Sequence, residues 1–204
     1  MKKYFLHTVI ILLFVTNCPN ILFAQSINKK NDALNDYFET ILKDTTLVVF
    51  VAKEKINSNR TIEIFRKNWI FTIDSTGKDV FDKSLFDEKS WKKMKKNYSD
   101  KCIAGKLFWC NDNFWITENF RNKNVVLESI NNKKGIEHIY KKYNKIDFKV
   151  YGFSEPIYYQ NKKYVVFTVN ISGFNSYQDK IIVMKKNKNK WIVTHQGTDP
   201  DLIN

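Results

Sequence analysis

Glu155, His195 and a pair of cysteines are the residues of this chain whose types and positions invite chemistry. Glu155 stands directly before Pro156 inside a run of β-forming residues. A carboxyl held at such a bend can serve as a general acid or base. His195 closes the last β-forming run, with Asp199 and Asp201 after it. An imidazole is the other natural acid–base group near neutral pH. His195, Asp199 and Asp201 are also metal-ligand types. The simpler reading is a strand-end histidine beside a polar tail, because metal ligands must be held rigidly. No metal and no cofactor is expected. Glu118 and Glu128 fall on predicted strands and His138 on a predicted helix, with no spacing that marks a site.

Cys102 and Cys110 are the cysteines outside the N-terminal leader. An oxidising compartment favours pairing them, the alternative being two free thiols. The chain has no nucleophile elbow, no His-Glu metal helix and no phosphate-cradling glycine loop. Six glycines in 204 residues leave little material for a nucleotide-binding loop.

The leader itself is informative. Lys2 and Lys3 precede an apolar run from Tyr4 to Val15, and Ile21–Leu22–Phe23–Ala24 precedes Gln25. This pattern reads as a secretory signal peptide over residues 1–24, followed by a single domain over 25–204. The apolar run is short for a membrane span and is broken by Asn17, Cys18, Pro19 and Asn20. The alternatives are lipidation at Cys18, which would bring the only expected membrane contact, and a retained anchor. Export to the periplasm or beyond is the expected destination.

Net charge is +13, which raises the question of a polyanionic partner. The arginines are Arg60, Arg66 and Arg121; every other basic residue is lysine. Arginine is the residue suited to bidentate phosphate recognition. The lysines are spread over turns and outer helix faces, so specific nucleic-acid binding is not expected.

These residues need elements to position them. Ala33, Leu34, Tyr37, Phe38, Ile41 and Leu42 form one helical stripe, so a helix is expected from Asp32 to Lys43. Thr46–Val51 reads as a buried strand. Thr61–Phe65 follows a polar turn at Asn57–Asn59, and Trp69–Ile73 reads as another strand. A helix between Ser84 and Asn97 places Trp91, Met94 and Tyr98 on one face and lysines on the rest. Strands are expected at Lys106–Cys110 and Asn113–Glu118 around a turn at Asn111–Asp112, then at Val125–Ile130. A third helix is expected at Gly135–Tyr143. Four C-terminal runs, Asp147–Tyr159, Lys163–Ile171, Lys180–Lys186 and Lys190–Gln196, are rich in β-branched and aromatic residues. Pro156 and Gly152 put a bulge or an edge in the first run.

Alternation in the second run sends Val165, Phe167, Val169 and Ile171 to a core face. Tyr164, Val166, Thr168 and Asn170 point the other way, to a face that is solvated or lines a pocket. Thr168 and Asn170 there, and Phe174 and Tyr177 in the longest hairpin loop, are the candidate residues for contacting a ligand or partner.

Phe153–Ser154–Glu155–Pro156–Ile157, Lys163–Tyr164–Val165–Val166–Phe167 and Lys190–Trp191–Ile192–Val193 together resemble small uncharacterised exported proteins of Bacteroidetes. The resemblance covers roughly the last 60 residues, and no activity comes with it. A helix feeding four antiparallel strands, the last opening Lys190–Trp191–Ile192, is similar to the NTF2-like fold, which implies a curved sheet and leaves function open.

The sequence thus predicts an α+β domain: a mostly antiparallel sheet carrying about three helices and ending in a four-strand meander. The function expected first is non-enzymatic: a module that binds a small ligand or a protein partner. The alternatives are a small hydrolase- or isomerase-like enzyme using Glu155 or His195, and a surface polyanion binder. A mass spectrum of the exported protein under denaturing conditions is expected to start at Gln25 and to lie two hydrogens below the reduced mass. A lipid-sized increment on Cys18 would overturn the leader assignment.

Overall fold

The computed structural model of the chain describes residues 31–42, 47–67, 70–73, 78–99, 109–130, 135–144, 148–173 and 176–199. The leader with Cys18, and Cys102, Phe174 and Asp201, lie outside the described residues, as does the side chain of Cys110. The fold is α+β. Among the described residues, four helices cover the two faces of a nine-stranded sheet.

The helices are α1 over 31–41, α2 Ser58–Arg66, α3 Glu88–Tyr98 and α4 Gly135–Tyr143. The strands are β1 Val49–Ala52, β2 Glu54–Ile56, β3 Ile70–Ile73, β4 Asp79–Phe81, β5 Trp109–Phe114 and β6 Val125–Glu128. They continue with β7 Val150–Phe153, β8 Ile157–Tyr159, β9 Tyr164–Gly173, β10 Ser176–Asn187 and β11 Lys190–Thr198. The sheet runs β4-β3-β11-β10-β9-β7-β1-β6, with β8 also paired to β9. Antiparallel pairing dominates. At one end β1 lies parallel to both β6 and β7, and α4 joins β6 to β7 beneath it. A two-stranded ribbon, β2 with β5, stands apart from the main sheet.

The C-terminal meander forms as its composition dictates. The first expected run is two strands, β7 and β8, parted at Ser154–Pro156, where proline has no N–H to donate to a ladder. β9 is buried on both sides. Val165, Phe167 and Val169 join Leu34, Tyr37 and Phe38 of α1 in one core. Val166 joins Ile62 and Phe65 of α2 and Trp91 and Met94 of α3 in a second. Under α4, Phe50 and Val150 pack with Ile139 in a third cluster. The face expected to be solvated or pocket-lining is therefore a second core face.

Three local expectations are corrected. Thr61–Phe65 is helical: Asn57 caps α2 by accepting from the Asn59 N–H at 2.8 Å, and Thr61, Ile62, Ile64 and Phe65 are buried while Glu63 is exposed. With it the described residues hold four helices, in keeping with an α+β domain. Asn111–Asp112 is not a tight turn between strands but lies within β5, at a register shift opposite Glu54 and Lys55. Asn113–Glu118 is likewise not one strand, because Thr117–Asn119 is a 3₁₀ turn.

Among the described residues, no helix is long and apolar enough to cross a membrane. Phe65→Ala is expected to lower unfolding free energy by roughly 3–5 kcal/mol, the usual cost of an emptied aromatic site. Glu63→Ala should stay within about 0.5 kcal/mol. Urea denaturation of both variants checks that α2 buries this face.

Candidate functional site

Glu155 and His195 are engaged in separate networks. Glu155 Oε1 accepts from Lys55 Nζ at 2.7 Å, and that ammonium sits 4.6 Å from the Trp115 ring centroid. His195 Nε2 lies 3.0 Å from Asp82 Oδ2, and its Nδ1 lies 2.9 Å from Thr194 Oγ1. Ser84 donates its hydroxyl to Asp82 Oδ1 at 2.6 Å. The Ser84 hydrogen bond, with help from His195, holds the Asp82 carboxyl below its usual range. Ser, Asp and His meet here in the wrong order for nucleophilic catalysis, because the hydroxyl points to the carboxylate and not to the imidazole. His195 pairs with Val183, Val183 with Val166, and Val166 with Ile157, two residues beyond Glu155. Three strand spacings place the two candidates on the order of 14 Å apart. The structure does not bring them together.

Thr168 and Asn170 are 0% and 1% exposed, so neither reaches solvent. Thr168 Oγ1 lies 2.8 Å from Thr61 Oγ1 of α2, and Thr61 donates to Ser154 Oγ at 2.9 Å. Asn170 Nδ2 donates to Asp179 Oδ1 at 3.2 Å, and Ser172 donates to Asn170 Oδ1 at 2.7 Å. Both residues seat α2 and β10 on β9, which corrects their expected role in contacting a ligand.

Beside them is an ionic cluster of two buried carboxylates and two half-buried cations. Arg60 Nη2 reaches Asp199 Oδ2 at 2.6 Å and Asp179 Oδ2 at 3.5 Å; Lys67 Nζ reaches Asp199 Oδ1 at 2.9 Å. Burial raises the Asp179 carboxyl above its ordinary value, outweighing the Asn170 and Arg60 contacts that pull it down. The Tyr177 residue is 57% exposed, yet burial and the Asp179 carboxylate push its hydroxyl up to about 12. Among the described groups, His138 is half-buried on α4. Glu128 accepts from Lys142 Nζ at 2.6 Å and from the Tyr143 hydroxyl at 2.5 Å.

Two clefts lie against the helices that cover the sheet. One, about 360 Å³, lies between α1 and the loop carrying Arg121, whose Nη2 donates to Asp36 Oδ1 at 2.9 Å. The other, about 270 Å³, lies between α3 and the β8–β9 turn. Tyr98 and Tyr158 supply its rings, Asn97, Gln160 and Asn161 its amides, and Lys93 and Lys162 its charge. No carboxylate is among its lining residues.

The turn that forms one wall is unusual. Gln160, Asn161 and Lys162 have φ of 47°, 53° and 68°, three consecutive left-handed residues without a glycine. Each such residue costs on the order of 1–2 kcal/mol. Surrounding contacts hold the turn: Lys163 N donates to Gln160 O at 3.1 Å, Gln160 Nε2 to Leu85 O at 3.1 Å, and Lys93 Nζ to Asn161 Oδ1 at 3.0 Å. Lys162 Nζ lies 5.6 Å from the Tyr158 ring centroid.

In sequence Lys93 is one of the lysines on the outer side of its helix, and Gln160–Lys162 is a short polar, Asn-bearing connection between two β-forming runs. The signal that was present is the absence of glycine from so short a connection, where left-handed backbone is required. Comparison of the chain with protein-family models, curated proteins and solved structures finds no match.

The raised Asp179 carboxyl has a signed consequence. Below 3.8 both folded and unfolded chains hold this proton; between 3.8 and the raised folded value only the folded chain does. Asp179 therefore contributes stability that is lost as pH rises through that window. Asp179→Asn lacks this titration and leaves the Arg60–Asp199 pair in place. The stability of the native chain relative to Asp179→Asn should fall in urea titrations as pH rises from about 3.8 through the raised folded value.

Proposed function

We propose that this chain is a non-catalytic binding or accessory module that works through the cleft between α3 and the β8–β9 turn. The observation that carries the reading is the turn itself. Left-handed backbone at three non-glycine residues is held by contacts from two neighbouring segments, and its side chains line a concave surface. Strain of this kind concentrates where side chains must be aimed. The cleft combines apolar rings with amides and charge, the usual composition of a small-molecule site. The carboxylates of the sheet support the same reading from the other side. Glu155, Asp199 and Glu128 are each joined to a lysine or arginine from another element, so they fasten the fold together.

A thermal-shift screen against small metabolites and oligosaccharides tests the reading. A ligand at about 100 times its Kd adds about 2.7 kcal/mol to stability, a shift of several degrees. Tyr98→Ala is expected to abolish the shift, and Glu155→Gln to leave it intact. Turnover of ester, glycoside or phosphoester substrates that disappears in His195→Asn or Glu155→Gln would establish an enzyme instead.

A further inference from the structure

We infer that the ligand of the α3/β8–β9 cleft is a saccharide unit carrying a carboxylate or sulfate, an acidic sugar ring. The inference rests on the binding-module reading and names its ligand class. Three features of the cleft select this chemistry together.

The first is the amide set. Asn97, Gln160 and Asn161 each carry both donor and acceptor atoms. Gln160 uses its Nε2 on Leu85 O and Asn161 its Oδ1 on Lys93. Among the described residues this leaves Gln160 Oε1 as an acceptor, Asn161 Nδ2 as a donor and both ends of the Asn97 amide. A hydroxyl is donor and acceptor at once, so a ring bearing several hydroxyls satisfies such a mixed set. A bare phosphate, which chiefly accepts, would leave Gln160 Oε1 unmatched.

The second feature is the pair of rings, Tyr98 and Tyr158, both half-buried at the cleft wall. Their exposed carbon area is open to the C–H side of a sugar ring while their hydroxyls stay polar. The third is charge. Lys93 and Lys162 line the cleft. With no carboxylate among the lining residues, these two ammonium groups favour an anion over a cation. Lysine ammonium groups act as point charges, suited to a carboxylate or sulfate on a ring that the amides have already oriented. The volume, about 270 Å³, has room for a single ring of this kind.

The test is a titration of the folded protein with trigalacturonate, its methyl-esterified counterpart, a heparin-derived sulfated disaccharide, maltotriose and inorganic phosphate. Calorimetry and amide NMR are the readouts. At least one of the two acidic saccharides should bind and move the amide signals of residues 160–162. It should bind at least tenfold more tightly than methyl-esterified trigalacturonate and maltotriose, with an affinity that falls as salt rises. Lys93→Gln with Lys162→Gln should remove that preference. Asn161→Gly, whose glycine keeps the left-handed turn at no steric cost, should stay folded and bind at least tenfold more weakly.

Equal binding of charged and uncharged saccharides overturns the acidic class and leaves the module reading standing. Phosphate that binds as tightly as the acidic saccharides shows a simple anion site and overturns the sugar. Silence of the 160–162 signals with both acidic saccharides overturns the ligand assignment. The module reading is judged separately, by the library screen and by the turnover assay.

Discussion

A strand buried on both faces cannot leave its polar side chains unmatched, and β9 is that strand. Thr168 sits in the second core with no access to water. An unsatisfied buried hydroxyl costs roughly 1–3 kcal/mol. Thr61 of α2 and Ser154 at the β7–β8 break close the set of hydroxyls, with Thr168 N also donating to Ser154 Oγ at 2.9 Å. This one cluster sets where α2 crosses the sheet. It also spans the break at Ser154–Pro156, where the Ser154 hydroxyl, in place of a ladder carbonyl, receives the Thr168 N–H. Once α2 is placed, α3 follows, since Trp91 Nε1 donates to Ile62 O at 3.0 Å and the indole closes the second core.

The first core is locked by the same logic applied to α1. Asp36 is buried, and its Oδ2 accepts from the Trp191 N–H at 2.6 Å while Arg121 neutralises Oδ1. Asn35 bonds to both sides of the loop that carries Arg121, through Asn119 O and Arg121 N. A helix with a purely apolar stripe could slide on the sheet; these directional contacts prevent that. The two ends of the sheet therefore differ in kind. At the Asp179 end, polar groups are drawn inward and matched to one another. At the Gln160 end, amides and ammonium groups remain on a concave surface.

How much of this could be read from the residues depends on range. Gly135–Tyr143 and the meander strands are local signals: apolar period and β-branched content decide them, and both were legible. Thr61–Phe65 was not, because Thr-Ile-Glu-Ile-Phe alternates like a strand, and only the cap at Asn57 and the contact of Thr61 with Thr168 make it a helix. The second face of β9 misled for a related reason. Thr and Asn in alternation read as a wet face, and the helix that dries it lies more than a hundred residues earlier in the chain. Glu155 and His195 were legible as chemistry-bearing types, but their partners Lys55 and Asp82 come from distant segments. The cleft at α3 was invisible for the opposite reason: each of its residues looked ordinary, and only tertiary packing gathers them.

The left-handed turn at Gln160–Lys162 is where stability and recognition part company. A connection of this length with Asn-Gly or Gly would form at lower cost. Asn161 tolerates the conformation, whereas Gln160 and Lys162 carry the penalty in full. What the chain gains is direction. The left-handed path turns Gln160 toward Leu85 in the segment before α3 and Asn161 toward Lys93 of α3, and leaves Lys162 over the ring of Tyr158. Glycines there would make the hairpin without the wall. The rigidity needed to hold this geometry comes from Tyr159, whose buried hydroxyl donates to Leu85 O at 3.1 Å and accepts from Asp87 N at 2.6 Å. The same segment thus seals the second core from below and presents an aimed polar surface above, so that the cleft inherits its order from the core beneath it.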